Sequence, residues 1–214
     1  TYVQHGESAV EMAEKASALL NHVLEIAEQK EDFDLVDVIL FNSAIGLWTK
    51  TKQSKSYREA KAILDRQLTL SQDVPHLQPD VFGMTAVIGC CASEKNSGER
   101  EKAFQVAVGT YRMFQKIGVK PNHVTYASML KACSRNLPEN EYRDKWVRRV
   151  MHDAIESGNV HGMVVQRLQQ AANPHLYKEL LQGNNSKKLP KEWTANLVCS
   201  KGKTKEVKGK RAEM

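Results

Sequence analysis

Residues 118–133, GVKPNHVTYASMLKAC, decide the reading of this chain. A helix is expected to stop at Gly118, a Lys-Pro-Asn turn follows at 120–122, and a second helix opens at His123. Tyr126, Met129, Leu130 and Cys133 then fall on one face of that helix. The same punctuation occurs upstream, where Gln78-Pro79-Asp80 precedes VFGMTAVIGCC and Asp37 precedes VILFNSAIGLW. In register, Val38, Val81 and His123 are 43 and 42 residues apart, and Phe41/Met84/Tyr126 and Ile45/Ile88/Leu130 repeat at those intervals. A period between about 20 and 50 residues means stacked supersecondary units. The second helix of each unit repeats too: Ala107, Tyr111, Phe114 and Gly118 return 40 residues later as Val147, Met151, Ala154 and Gly158. The first unit departs from this, with Gln67 where a hydrophobe is wanted and its stop in a linker over 69–77.

The fold class expected is all-α, a right-handed α-solenoid of tandem antiparallel helix hairpins. Each hairpin buries only part of its apolar surface alone, and stacking supplies the rest. Residues 1–37 read as the second helix of a truncated unit, with its helix at 7–29. Repeat 1 spans 38–80, repeat 2 spans 81–122, and a diverged repeat 3 spans 123–162. Residues 163–183 read as capping helices, with a helix expected over 160–170 that turns Val160, Met163, Val164 and Leu168 inward, and 184–214 as a basic tail without periodicity, disordered beyond Ser200. The polar stretch 93–102 reads as an insertion between the helices of repeat 2, and Trp193 is expected to dock on the last helix.

Composition narrows the function classes. The chain has 214 residues, 41% hydrophobic, with no apolar run near the length of a membrane span. It starts at Thr1, which reads as a fragment or processed form, with any targeting peptide upstream. The net charge of +6 is uneven: 187–214 hold nine Lys/Arg against three Glu, residues 1–80 carry −5 and residues 81–186 carry +5. A polyanion is therefore drawn to the C-terminal half. Cys90, Cys91, Cys133 and Cys199 lack metal-ligand spacing and read as reduced thiols. His5-Gly6-Glu7 has a deaminase-like H-x-E form without the companion C-x-x-C. No phosphate loop or hydrolytic carboxylate cluster occurs, so the reading is no enzyme, no metal and no cofactor.

The stretch Gly118-Val119-Lys120-Pro121-Asn122-His123-Val124-Thr125-Tyr126, with Met129, Leu130 and Cys133, resembles the pentatricopeptide repeat family. Weaker copies are Pro79-Asp80-Val81 with Ile88, and residues 38–45. The resemblance covers roughly residues 7–172, although both repeat intervals exceed the family's usual length of about 35 residues. It implies binding of single-stranded RNA, one base per repeat, in a mitochondrion or plastid. It places the contacts at the second, fifth and last positions of each repeat. The second positions are Ile39, Phe82 and Val124, the fifth are Asn42, Thr85 and Ala127, and the last are Asp80 and Asn122. By the family's pairing, Asn42 with Asp80 resembles a uracil reader and Thr85 with Asn122 an adenine reader, while Ala127 specifies no base.

Two plainer explanations stand beside this. Asp80 and Asn122 are good helix N-caps with or without RNA. The same hairpin physics also builds scaffolds that bind a protein or peptide partner, which is the rival class. Oligomeric state is not legible.

Overall fold

Side-chain N-caps set the frame of the molecule. The computed structural model describes residues 8–51, 53–184 and 188–197. Helix α1, Ala9–Lys30, opens on a capping box in which Ser8 and Glu11 satisfy each other's backbone N–H. Asp37 caps α2 (Val38–Trp48), accepting from the Leu40 amide at 2.9 Å. Helix α3 (Ser56–Leu70) follows. Asp80 caps α4 (Val81–Cys91) and Asn96 caps α5 (Ser97–Lys116). Asn122 caps α6 (His123–Asn136) and Asn140 caps α7 (Glu141–Glu156). The His161 Nδ1 caps α8 (Gly162–Ala171), and Asn173 caps α9 (Pro174–Leu181). Among the described residues the regular structure is helical, with short 3-10 turns at Pro75–Leu77 and Glu192–Thr194.

The helices pack in pairs and in series. Within units, α2 lies on α3, α4 on α5 and α6 on α7; between units, α2 contacts α4, α4 contacts α6 and α6 contacts α8. Helices α3 and α5 also touch the first helix of the following unit, α4 and α6, and α1 packs on α2. The fourth-position residues Phe41, Met84 and Tyr126, and the eighth-position Ile45, Ile88 and Leu130, are all buried. One apolar cluster runs from Ala13 through Trp193, and a smaller one gathers Leu20, Leu24, Phe41 and Leu77 at the N-terminal end. The second helices α5 and α7 end in the same way. Gly118 (φ +74°) and Gly158 (φ +62°) take the left-handed conformation that spares glycine the Cβ clash. The next amide then reaches back, Val119 N–H to Phe114 O at 3.0 Å and Asn159 N–H to Ala154 O at 2.9 Å. No helix of the described residues is long and apolar enough to cross a membrane.

Three sequence expectations need correction, and one departure finds its explanation. The supposed insertion at 93–102 is mostly helix: only residues 92–96 connect α4 to α5, and α5 starts at Ser97 because the Asn96 side chain caps it. Gln67 does occupy the hydrophobe's place, fully buried, because the 3-10 turn folds over it and its Nε2 donates to Leu77 O at 3.0 Å. The helix expected from Val160 begins instead at Gly162, with Val160 buried just before it. Trp193 is buried, but the turn carrying it packs on α7 rather than on α9, and its carbonyl accepts from Val160 N–H at 2.8 Å. His5, Gly6, Glu7, Cys199 and most of the basic tail lie outside the described residues.

Candidate nucleic-acid interface

The N-caps fix which way each first helix points its second residue. One step beyond the first helical residue, the side chain turns away from the core. Ile39 is 69% exposed, Phe82 70% and Val124 37%. Helix α8 adds a fourth and corrects the sequence reading: Val160, Val164 and Leu168 are buried as expected, but Met163 turns outward. Met163, 40% exposed, is the second residue of α8 and follows Val124 by 39 positions. Because α2, α4, α6 and α8 pack in sequence, these four residues form one apolar residue per unit on successive helices. Large exposed apolar side chains recurring at one register are unusual for a surface and suit flat, hydrophobic partners.

The fifth and last positions meet, by two different routes. In the first unit the Asn42 Nδ2 donates to both carboxylate oxygens of Asp80 at 3.1 Å. Asp80 Oδ1 also accepts from the Phe82 and Gly83 amides, at 2.9 and 3.0 Å. Oδ2 takes only the Asn42 bond and keeps accepting capacity. In the second unit the Thr85 and Thr125 hydroxyls lie 2.7 Å apart, and Thr125 Oγ1 donates to Asn122 Oδ1 at 3.2 Å. Asn122 Oδ1 also accepts from the Val124 and Thr125 amides, at 2.9 and 3.1 Å. Its NH2 group makes no hydrogen bond among the described residues and remains a donor. Thr85 is nearly buried, at 9% exposed, and Ala127 is buried at 3%, so the fifth positions of units two and three face the core. Unit three ends at His161, which caps α8, rather than at the expected residue 162, and the His161 ring lies 5.0 Å from that of His123. Burial, then the neighbouring His161, holds His123 below the ordinary histidine value.

Cations accompany the row at its C-terminal end. Lys131 and Arg135 on α6 follow Val124 at seven and eleven residues, and Arg167 on α8 follows Met163 at four. These spacings bring each back to the stripe of the second-position residue. Lys131 is pushed below its ordinary value by burial and then by the charges of Arg167 and Arg135. None of the three is ion-paired among the described residues; Lys131 donates to Ser93 Oγ at 3.2 Å and Arg167 to Gln170 Oε1 at 2.7 Å. Gly46 and Gly89, at the position equivalent to Lys131 on α2 and α4, face open space. Sequence reasoning located the positive charge only by halves; the i+4, i+7 and i+11 spacing from the second positions was the signal that could have placed it.

Other chemistry lies elsewhere. Cys90, Cys91 and Cys133 are buried free thiols. Burial raises Cys90 and Cys133 to about 12 and Cys91 higher still, which makes them poor nucleophiles. His152, Asp153 and Glu156 on α7 form the one grouping of metal-type ligands among the described residues. Asp153 there already accepts the Tyr111 hydroxyl at 2.8 Å. Compared with protein-family models, curated proteins and solved structures, the chain matches none.

Proposed function

We propose that the chain binds single-stranded RNA along the face carrying the second residues of α2, α4, α6 and α8, as a right-handed solenoid of pentatricopeptide-like repeats. The observation that carries this is the exposed apolar row Ile39, Phe82, Val124 and Met163, one per unit. A base stacks on an aromatic such as Phe82 whatever its identity, because every base has a π-face, and Ile39, Val124 and Met163 wedge between successive bases. Lys131, Arg135 and Arg167 supply unpaired positive charge for the backbone beside the row. The two polar pairs supply opposite hydrogen-bonding faces. Asp80 Oδ2 accepts, which suits an N–H edge such as that of uracil; Asn122 NH2 donates, which suits an acceptor edge such as adenine N1. Ala127 contributes no base preference. The role is binding without catalysis, and residence in a mitochondrion or plastid belongs to the same family-level proposal.

The test is an equilibrium titration of the whole chain with labelled single-stranded RNA at physiological salt, beside Phe82→Ser. Stacking of a base on an aromatic is worth about 1–3 kcal/mol, which is roughly 5- to 150-fold in affinity. Loss in that range supports the reading. Unchanged affinity in the variant, or no binding by the wild type, sinks it in favour of a protein-binding scaffold.

A further inference from the structure

Beside each polar pair lies a further residue that differs between the units, the third residue of the following first helix. In α4 that residue is Gly83; in α6 it is Thr125. A Cβ built on Gly83 falls 2.3 Å from Asn42 Oδ1 and 3.4 Å from its Cγ. Real Cβ atoms do not approach an oxygen so closely, so the Asn42 amide lies where it does only because residue 83 has no side chain. Asn42 Oδ1 is buried there and has no hydrogen-bond partner. Turning the amide over would set that oxygen against the Asp80 carboxylate, so the observed orientation is fixed by charge. Thr125 fills the equivalent space in the next unit, and its hydroxyl bridges Thr85 to Asn122.

We infer that Gly83 and Thr125 are positioning residues that set base selectivity: a glycine at this place lets the fifth-position side chain lock directly onto the last-position carboxylate, and a threonine links them through its hydroxyl. This rests on the RNA reading for its consequence, but the positioning itself is a property of the protein alone. Gly83 locks Asn42 so that its donors are spent on Asp80 and the unit offers a carboxylate oxygen. Adding a methyl at 83 expels the amide, frees both groups and blurs the preference at that one base. Thr125 keeps the Asn122 oxygen occupied and its NH2 outward, so unit two presents a donor.

The experiment is a double-mutant cycle on the whole chain, Gly83→Ala and Asn42→Ala, read first by thermal melting. Gly83→Ala alone is expected to lower the melting temperature by roughly 3–10 °C, since the Asn42 amide must swing away and give up its hydrogen bonds to the Asp80 carboxylate. In the Asn42→Ala background the same change is expected to raise it by about 1–4 °C, the ordinary gain for alanine over glycine in a helix. Equal shifts in the two backgrounds overturn the positioning claim. The second readout is affinity for single-stranded RNAs that differ at one base. Gly83→Ala should lose most of the preference at the base facing unit one and leave the neighbouring base unchanged. Thr125→Val should do the reverse, with Thr125→Ser retaining the wild-type preference. Coupled stability with unaltered base preference overturns the selectivity claim. Coupled stability with no RNA binding by any variant, wild type included, overturns the RNA reading and the selectivity claim with it, while the positioning claim stands on the melts.

Discussion

Replacing Glu94 by glutamine tests the contact that ties one unit's turn to the next. Glu94 is 3% exposed and sits in the connection between α4 and α5. Its Oε1 accepts from the Lys95 and Asn96 amides, both at 2.8 Å, and from Ser54 Oγ at 3.0 Å. Its Oε2 accepts from the Lys55 amide at 2.7 Å. Lys55 precedes α3 in the left-handed conformation (φ +70°), without a side-chain cap, so the carboxylate of one unit holds the strained turn of the unit before. Burial favours the neutral acid, but the amides of Lys55, Asn96 and Lys95 and the Ser54 hydroxyl outweigh it and hold Glu94 below its ordinary value. Glutamine keeps an oxygen for the Oε1 partners but sets an NH2 group against the Lys55 N–H. A hydrogen bond to a charged group is worth about 1.5–3 kcal/mol, and the opposed donors add to its loss. At about 2–4 °C per kcal/mol for a chain of this size, the melt should fall by roughly 5–10 °C at neutral pH.

The sign of the pH dependence follows from the lowered carboxylate. Its stabilisation is complete above the ordinary value of 4.5 and is lost as pH falls from there through the lowered folded value. The gap between wild type and Glu94→Gln should therefore narrow as the pH drops below that value. Circular dichroism melts across the acid range read both quantities. A variant that melts within about 2 °C of wild type at neutral pH, or a gap that does not change with acid, refutes the reasoning.

Tyr57 holds Glu99 in a similar contact between units. The Tyr57 hydroxyl, 2.8 Å from Glu99 Oε2, and then Arg58 bring this carboxylate down to about 2. Tyr57→Phe should move the Glu99 titration, followed by carboxyl carbon NMR, back towards 4.5, so that its stabilising effect fades at a higher pH than in wild type; a titration that stays near its original value contradicts this. Trp193→Ala removes a buried ring from the surface of α7 and should cost about 3–5 kcal/mol in urea denaturation. A loss below about 1 kcal/mol would mean that the segment 188–197 adds little to the core.

What the sequence displayed plainly was punctuation. Asp37, Asp80 and Asn122 each precede an apolar helix, and each caps it. What it hid was context. Residues 97–102 hold no large apolar residue, so the start of α5 reads as a polar insertion; yet Asn96 and Glu99 have capping-box spacing, and Glu99 is buried because Tyr57 of the previous unit receives it. Met163 reads as inward, with Val160, Val164 and Leu168, because histidine is a rare cap and no Pro-Asn turn marks Gly162 as the start of α8. The burial of Thr85 was invisible because its partner, Thr125, lies 40 residues away and is legible only in three dimensions.

The titration of whole chain with single-stranded RNA goes furthest when the basic tail is neutralised in place. Lys201, Lys203, Lys205, Lys208, Lys210 and Arg211 are changed to glutamine, and Phe82→Ser is made in both backgrounds. A face that stacks bases predicts binding that survives neutralisation, with a shallower salt dependence, and that falls roughly 5- to 150-fold on Phe82→Ser in either background. Binding that disappears with the tail charges and is indifferent to Phe82 would contradict RNA recognition by the repeats.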